Sequence, residues 1–140
     1  VAAAGNRILG VFAGCQYTAS DGEVKFARYF PTGTTTQGSG DVTAYIYDDP
    51  NIVYAIQSAG SADFADIGQL ADHVAGTGDT STGQSKFEIS GTTGTGTAGM
   101  RILGLYETPK NAFGTNGILE ATIHEHELNQ HIDADGTVGV

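Results

Sequence analysis

Arg7-Ile8-Leu9-Gly10-Val11-Phe12, near the start of the chain, is matched near its end by Arg101-Ile102-Leu103-Gly104-Leu105-Tyr106. Both follow one pattern: Arg-Ile-Leu-Gly, an aliphatic residue, an aromatic. Each is a short apolar run bounded by turn formers, which reads as a buried strand. A glycine inside such a strand marks a bulge, a bend at a barrel corner or a close backbone approach. Six matching residues can also arise by chance between two apolar strands, and no similarity continues beyond them. Taken as related, the copies predict equivalent strands, neighbours in one closed sheet. Gly10 and Gly104 are then expected at bends or bulges where a side chain would clash.

Working outward from the first copy, its strand is expected to run on to Tyr17. Thr18-Ala19-Ser20-Asp21-Gly22 is a turn, and Asp-Gly supplies the positive φ that a hairpin needs. Residues 24–30 alternate, with Val24, Phe26 and Arg28 on one face and Lys25, Ala27 and Tyr29 on the other. They make a hairpin partner, ended by Pro31, which cannot donate to a ladder. After a Thr/Gly loop, residues 42–47 form a strand with Val42, Ala44 and Ile46 on one face and Tyr45 and Tyr47 on the other. Asp48-Asp49-Pro50-Asn51 is a strong turn signal, and residues 52–57 are rich in β-branched and aromatic side chains. Residues 42–57 therefore read as a second hairpin.

Phe64, Ile67, Leu70 and Val74 have roughly helical spacing, and Asp63 is placed to cap. Gly68 inside a helix would cost about 1 kcal/mol, so two extended pieces are predicted, over residues 64–67 and 70–75. Residues 76–99 are nearly a Gly/Thr/Ser tract, interrupted by one short strand at Lys86-Phe87-Glu88-Ile89. The second Arg-Ile-Leu-Gly strand spans residues 100–107. Residues 109–114 form a turn, Asn116-Gly117 is a second hairpin signal, and the last long strand is expected over residues 118–128. No helix is predicted. The fold class is all-β: a compact antiparallel barrel or sandwich of about eight strands with long Gly/Thr-rich loops. The expected layout is an N-terminal arm over residues 1–6, one β domain over 7–128 and a C-terminal tail over 129–140.

The bulk composition limits function. A chain of 140 residues most simply makes one domain and buries about two thirds of its unfolded surface. Sixteen acids against six scattered Lys and Arg give a net charge of -10. That argues against a phosphate backbone and against anionic lipid, so neither nucleic acid nor membrane is an expected partner. No run approaches a membrane span, and no basic-then-apolar leader is seen. The opening Val1-Ala2-Ala3-Ala4-Gly5 is what loss of an initiator Met would leave. Cys15 is the only cysteine, so no intrachain disulfide is possible. Within Ala13-Gly14-Cys15-Gln16-Tyr17 it reads as a small buried hydrophobe; as a catalytic thiolate it would lack any sequence-near His or Asn.

Four groups of residues were weighed for chemistry. His124 and His126 would share one face of a strand, a spacing used by zinc and copper sites. Their parity is that of Glu120 and Thr122, opposite to Leu119, Ala121 and Ile123. That places both imidazoles on the polar face, structural or solvated. His126-Glu127 is followed by His131 one residue too late for the helical metalloprotease pattern. Residues 78–86 resemble a phosphate loop, but Lys86 stands two places late and Asp79 would repel phosphate. Asp48-Asp49 and Asp133-Ala134-Asp135-Gly136 offer oxygens to Ca²⁺, yet neither completes a calcium loop. They read as turn formers or solvated charges. No nucleophile elbow is present. No residue is assigned a catalytic, cofactor-binding or metal-binding role, and no cofactor is expected.

Gly10-Val11-Phe12-Ala13-Gly14-Cys15-Gln16-Tyr17, Tyr29-Phe30-Pro31, Tyr47-Asp48-Asp49-Pro50, Asp66-Ile67-Gly68-Gln69 with Ala71-Asp72, and Arg101-Ile102-Leu103-Gly104-Leu105 resemble strings of small structural proteins of tailed bacteriophages. The resemblance, to capsid decoration or stabilising proteins, covers residues 7–128. Its motifs are turns and strand cores, and it transfers no binding residue. It implies a non-enzymatic virion protein, made in the host cytoplasm, that sits on the capsid surface and ties shell subunits together. The implied partners are the major capsid protein and further copies of the chain in a symmetric assembly. Contacts are expected from exposed strand edges, the termini and the long loops. Two alternatives belong to other classes: a carbohydrate- or receptor-binding module with outward Tyr residues, and a metal-dependent hydrolase using His124 and His126.

Overall fold

The computed structural model describes residues 6–38, 42–79, 81–94 and 98–128. Residues 1–5 and 129–140, which make up nearly all of the two expected arms and include His131, Asp133 and Asp135, lie outside them. The described chain is all-β. Its strands are β1 (Val11–Thr18), β2 (Val24–Ala27), β3 (Val42–Tyr47), β4 (Val53–Gln57), β5 (Ser61–Ala62), β6 (Leu70–Ala71), β7 (His73–Ala75), β8 (Phe87–Ile89), β9 (Met100–Leu105), β10 (Gly114–Thr115) and β11 (Ile118–Ile123). Eight of these have three residues or more, in line with the expected number.

Every strand pair is antiparallel. One sheet has the order β2-β1-β3, a second β4-β11-β9-β6, and two ribbons pair β10 with β5 and β7 with β8. The sheets keep open edges, so the arrangement is sandwich-like and not a closed barrel. The main core lies on the four-stranded sheet. Leu119 and Ala121 of β11 pack with Met100 and Ile102 of β9, and with Ala62, Ala71 and Ile89. A smaller cluster of Cys15, Tyr17 and Ala19, backed by Ala27, lies under the three-stranded sheet. Cys15 is thus the small buried hydrophobe its context predicts.

The matched hexapeptides do not become neighbouring strands. The second copy is β9, inside the four-stranded sheet. The first copy is split. Ile8 makes a lone parallel bridge to His126 and packs against the main core, whereas Val11 and Phe12 begin β1 in the other sheet. Gly10 lies at the crossing, where a Cβ would collide with the carbonyl of Tyr47 and stand 2.8 Å from Ile46 Cγ2. Its expected close approach is real. Gly104 is different: nothing lies within 4 Å of a Cβ there. The adjacent register shift, with Glu120 opposite Gly104 but Ala121 opposite Ile102, makes Leu103 the extra residue of a bulge.

The first hairpin forms as expected. Gly22 takes φ 85°, its N–H donates to the Ala19 carbonyl, and Ala19 N–H donates to Glu23 O. The hairpin over residues 42–57 does not form. Among the described residues β3 pairs only with β1, and β4 pairs with β11. The reason is backbone conformation. A two-residue hairpin turn needs positive φ, and no residue from 48 to 51 has it. Instead Asp49 Oδ1 accepts from the N–H of Asn51 at 2.8 Å, and the chain passes to the other sheet. Asn116-Gly117 also makes no tight hairpin: Asn116 has φ 62° but Gly117 has no positive φ, and β10 pairs with β5.

Residues 70–75 are extended, as β6 and β7. Residues 64–66 are not: they form a single 3₁₀ turn. Asp63 Oδ1 accepts from Ala65 N–H at 3.0 Å, and Asp63 N–H donates to Asp66 Oδ2 at 2.7 Å. That reciprocal box stabilises a helical turn against the extended form, and Gly68 at φ 84° then ends it.

Candidate interaction surface

The last strand stops at Ile123, five residues earlier than predicted, and this changes the histidine reading. The N–H groups of both His124 and Glu125 point at one acceptor, the Gly99 carbonyl, at 2.9 and 3.4 Å. Two successive N–H groups on one side break the alternation of a strand. His126 is therefore turned inward and is 1% exposed, contrary to the polar-face expectation. Its Nδ1 accepts from Leu128 N–H at 3.1 Å. His73, unremarked in the sequence, is buried as well and stacks on Phe87 at 5.7 Å. Among the described residues no three His, Cys, Asp or Glu side chains are grouped to hold a metal ion.

The other weighed motifs are turns. Asp79 Oδ1 accepts from Ser81 N–H at 2.8 Å, Ser81 Oγ at 2.6 Å and Thr82 N–H at 3.3 Å. The donors that would cradle a phosphate thus face the loop's own carboxylate. These bonds, from the Ser81 hydroxyl first, hold Asp79 below the usual carboxylate range. Asp48 and Asp49 are exposed at the end of β3. Asp133 and Asp135 lie outside the described residues. No described helix is long and apolar enough to cross a membrane.

What the structure does present is the three-stranded sheet. Its pairing aligns Gln16 with Phe26 and Thr43, Gly14 with Tyr45, and Val11 with Tyr47, and paired residues share a face. This face carries Val11, Val24, Phe26, Tyr45 and Tyr47, all exposed, Phe26 to 71%. Tyr45 Oη donates to Gln16 Oε1 at 2.8 Å. The opposite face carries Phe12, Val42 and Ile46, also exposed, around the Cys15–Tyr17 cluster. Tyr17 meets Phe30 edge to face at 5.3 Å. A shallow groove of about 310 Å³ crosses the first face, floored by Ala13, Gly14 and Cys15 and flanked by Phe26, Ala27, Arg28 and Tyr45.

All six residues of β3 are exposed. The two faces of this strand are those its alternation predicts, whereas the expected hairpin over residues 42–57 would have closed its edge. The available signal was the presence of large apolar residues at both parities, Val42 and Ile46 against Tyr45 and Tyr47, in a strand that the fold leaves uncovered. Comparison of the chain with protein-family models, curated proteins and solved structures found no match.

Proposed function

We propose that this chain is a non-enzymatic structural protein of a tailed-bacteriophage virion, which binds the capsid shell and stabilises it by bridging subunits. The partners are the major capsid protein and other copies of the chain; the location is the capsid surface, after synthesis in the host cytoplasm. The sequence strings quoted above supply the virion part of this reading. The observation that carries the binding part is the exposed apolar face of the sheet β2-β1-β3. Val11, Val24, Phe26, Tyr45 and Tyr47, exposed on one face of the sheet, are the kind of apolar surface that marks a protein interface. Aromatic residues such as Phe26, Tyr45 and Tyr47 are the types enriched at interface centres. A charge of -10 keeps free copies apart while leaving attraction to a basic surface intact.

Quantitative mass spectrometry of purified particles tests this. The expected result is a copy number comparable to that of a shell protein. A few copies per particle, or none, would overturn it.

A second reading, a carbohydrate- or receptor-binding module, has one observation in its favour. Phe26 and Tyr45 flank a groove whose floor has no side chain at Gly14, beside Gln16 and Arg28. A glycan array probed with the isolated chain decides between them.

A further inference from the structure

Among the described residues no strand pairs with the outer edge of β3, and the other edges are not comparable. β2 has four residues and carries Lys25, whose Nζ lies 3.3 Å from Glu23 and 3.9 Å from Asp21; a charged, short edge is protected. β6 has two residues, with Leu70 bridged to Gly94 on its far side. β4 has β8 beside it, through the Ser58–Ile89 bridge and a 2.9 Å bond from Gln57 Nε2 to Glu88 Oε1. β3 has six residues, all exposed, and neither Lys, Arg nor Pro among them. A long apolar edge of this kind is a template for another strand.

We propose that β3 accepts an extended segment of a partner protein as a fourth, antiparallel strand, and that this segment alternates apolar side chains and begins with basic residues. The partner's identity rests on the capsid reading above; the acceptor edge does not. Charge selects the occupant. Asp48 and Asp49 follow Tyr47 at the C-terminal end of β3, both exposed, and neither makes an ion pair among the described residues. An antiparallel strand brings its N-terminal end beside them, where Lys or Arg is favoured. A second copy of β3 is disfavoured there, because its six residues bring no Lys or Arg to set beside Asp48, and each chain carries -10. The apolar alternation is required by the two rows already present, Val42 and Ile46 on one face and Tyr45 and Tyr47 on the other.

The test uses the full chain and two fluorescent peptides of alternating Val and Thr, one opening with a Lys pair and the other with a Glu pair. Fluorescence anisotropy should show saturable binding of the Lys peptide and about tenfold weaker binding of the Glu peptide. Asp48→Lys, on an exposed side chain, should remove that preference, since it brings the local charge of residues 48 and 49 from -2 to zero. Thr43→Lys with Tyr45→Lys should abolish binding of both while the circular dichroism spectrum stays unchanged. Equal binding of the two peptides, or a preference that Asp48→Lys does not move, overturns the proposal even if the double variant fails to fold. Sedimentation of the chain alone as a dimer that the double Lys variant dissolves also overturns it, because the occupant is then a second copy. Peptide preference without any binding to capsid shells supports the edge and sinks the capsid reading alone. Shell binding that persists unchanged in the Lys variants does the reverse.

Discussion

Gly10 lies with its α-carbon against the main-chain carbonyl of Tyr47, leaving no room for a side chain, and Ile46 Cγ2 closes the same space. This contact pins the crossing segment between the main core, which Ile8 enters, and β1, which starts at Val11. Gly10→Ala should destabilise by about 1–3 kcal/mol, the cost of forcing atoms into a packed site. Gly104→Ala, in the matched position of β9 with nothing within 4 Å of its Cβ, should leave the urea midpoint nearly unchanged. Equal effects at the two glycines would contradict the split assignment of the hexapeptides.

His126 fills space beneath the Ile8 bridge. His126→Ala should cost about 2–4 kcal/mol, in the range of buried large-to-small replacements. Thermal unfolding of the variant, with and without chelator, measures this. A melting temperature that the substitution leaves unmoved would show that the ring is not part of the core.

Asn111 closes the long connection between β9 and β11. Its Nδ2 donates to the carbonyls of Tyr106 and Ile118, both at 2.7 Å, and its Oδ1 accepts from Ile118 N–H at 2.9 Å. Asn111→Ala removes three hydrogen bonds at about 1 kcal/mol each, so a loss of roughly 2–3 kcal/mol is expected. Hydrogen exchange at Ile118 should accelerate in the same variant.

Asp79 supplies a pH dependence of known sign. Its folded-state pKa lies below the ordinary 3.8 because of its bonds from Ser81 and Thr82. The contribution is therefore complete above pH 3.8 and is lost as pH falls through the lower folded value. NMR titration should find the Asp79 carboxyl titrating below 3.8, and Ser81→Ala should raise it. A carboxyl with an ordinary pKa in the unsubstituted chain would refute the turn geometry.

The sequence made local structure legible and long-range pairing much less so. The β1–β2 hairpin follows from Asp21-Gly22 and the alternation after it, because turn and partner lie within one short window. The fate of residues 42–57 depended on whether Asp48 to Asn51 adopt positive φ and on β11, some sixty residues away; neither can be read locally. The inward turn of His126 does not follow from strand parity, because the Gly99 carbonyl, just ahead of β9, ends that parity at Ile123. The 3₁₀ turn at Asp63 to Asp66 is written in the sequence as a pair of acids at capping spacing, and Gly68 lies beyond the turn, where it ends it without cost. The candidate surface was half legible: the apolar residues of β3 were identified, but their exposure follows from which strands fail to cover them.

On the function proposed above, binding by this chain strengthens a capsid shell. Its most direct test is the temperature at which shells lacking the chain burst, measured before and after adding purified protein to saturation. A clear rise that follows occupancy is expected, since many modest contacts are multiplied by shell symmetry. An unchanged burst temperature with shells fully decorated would contradict it.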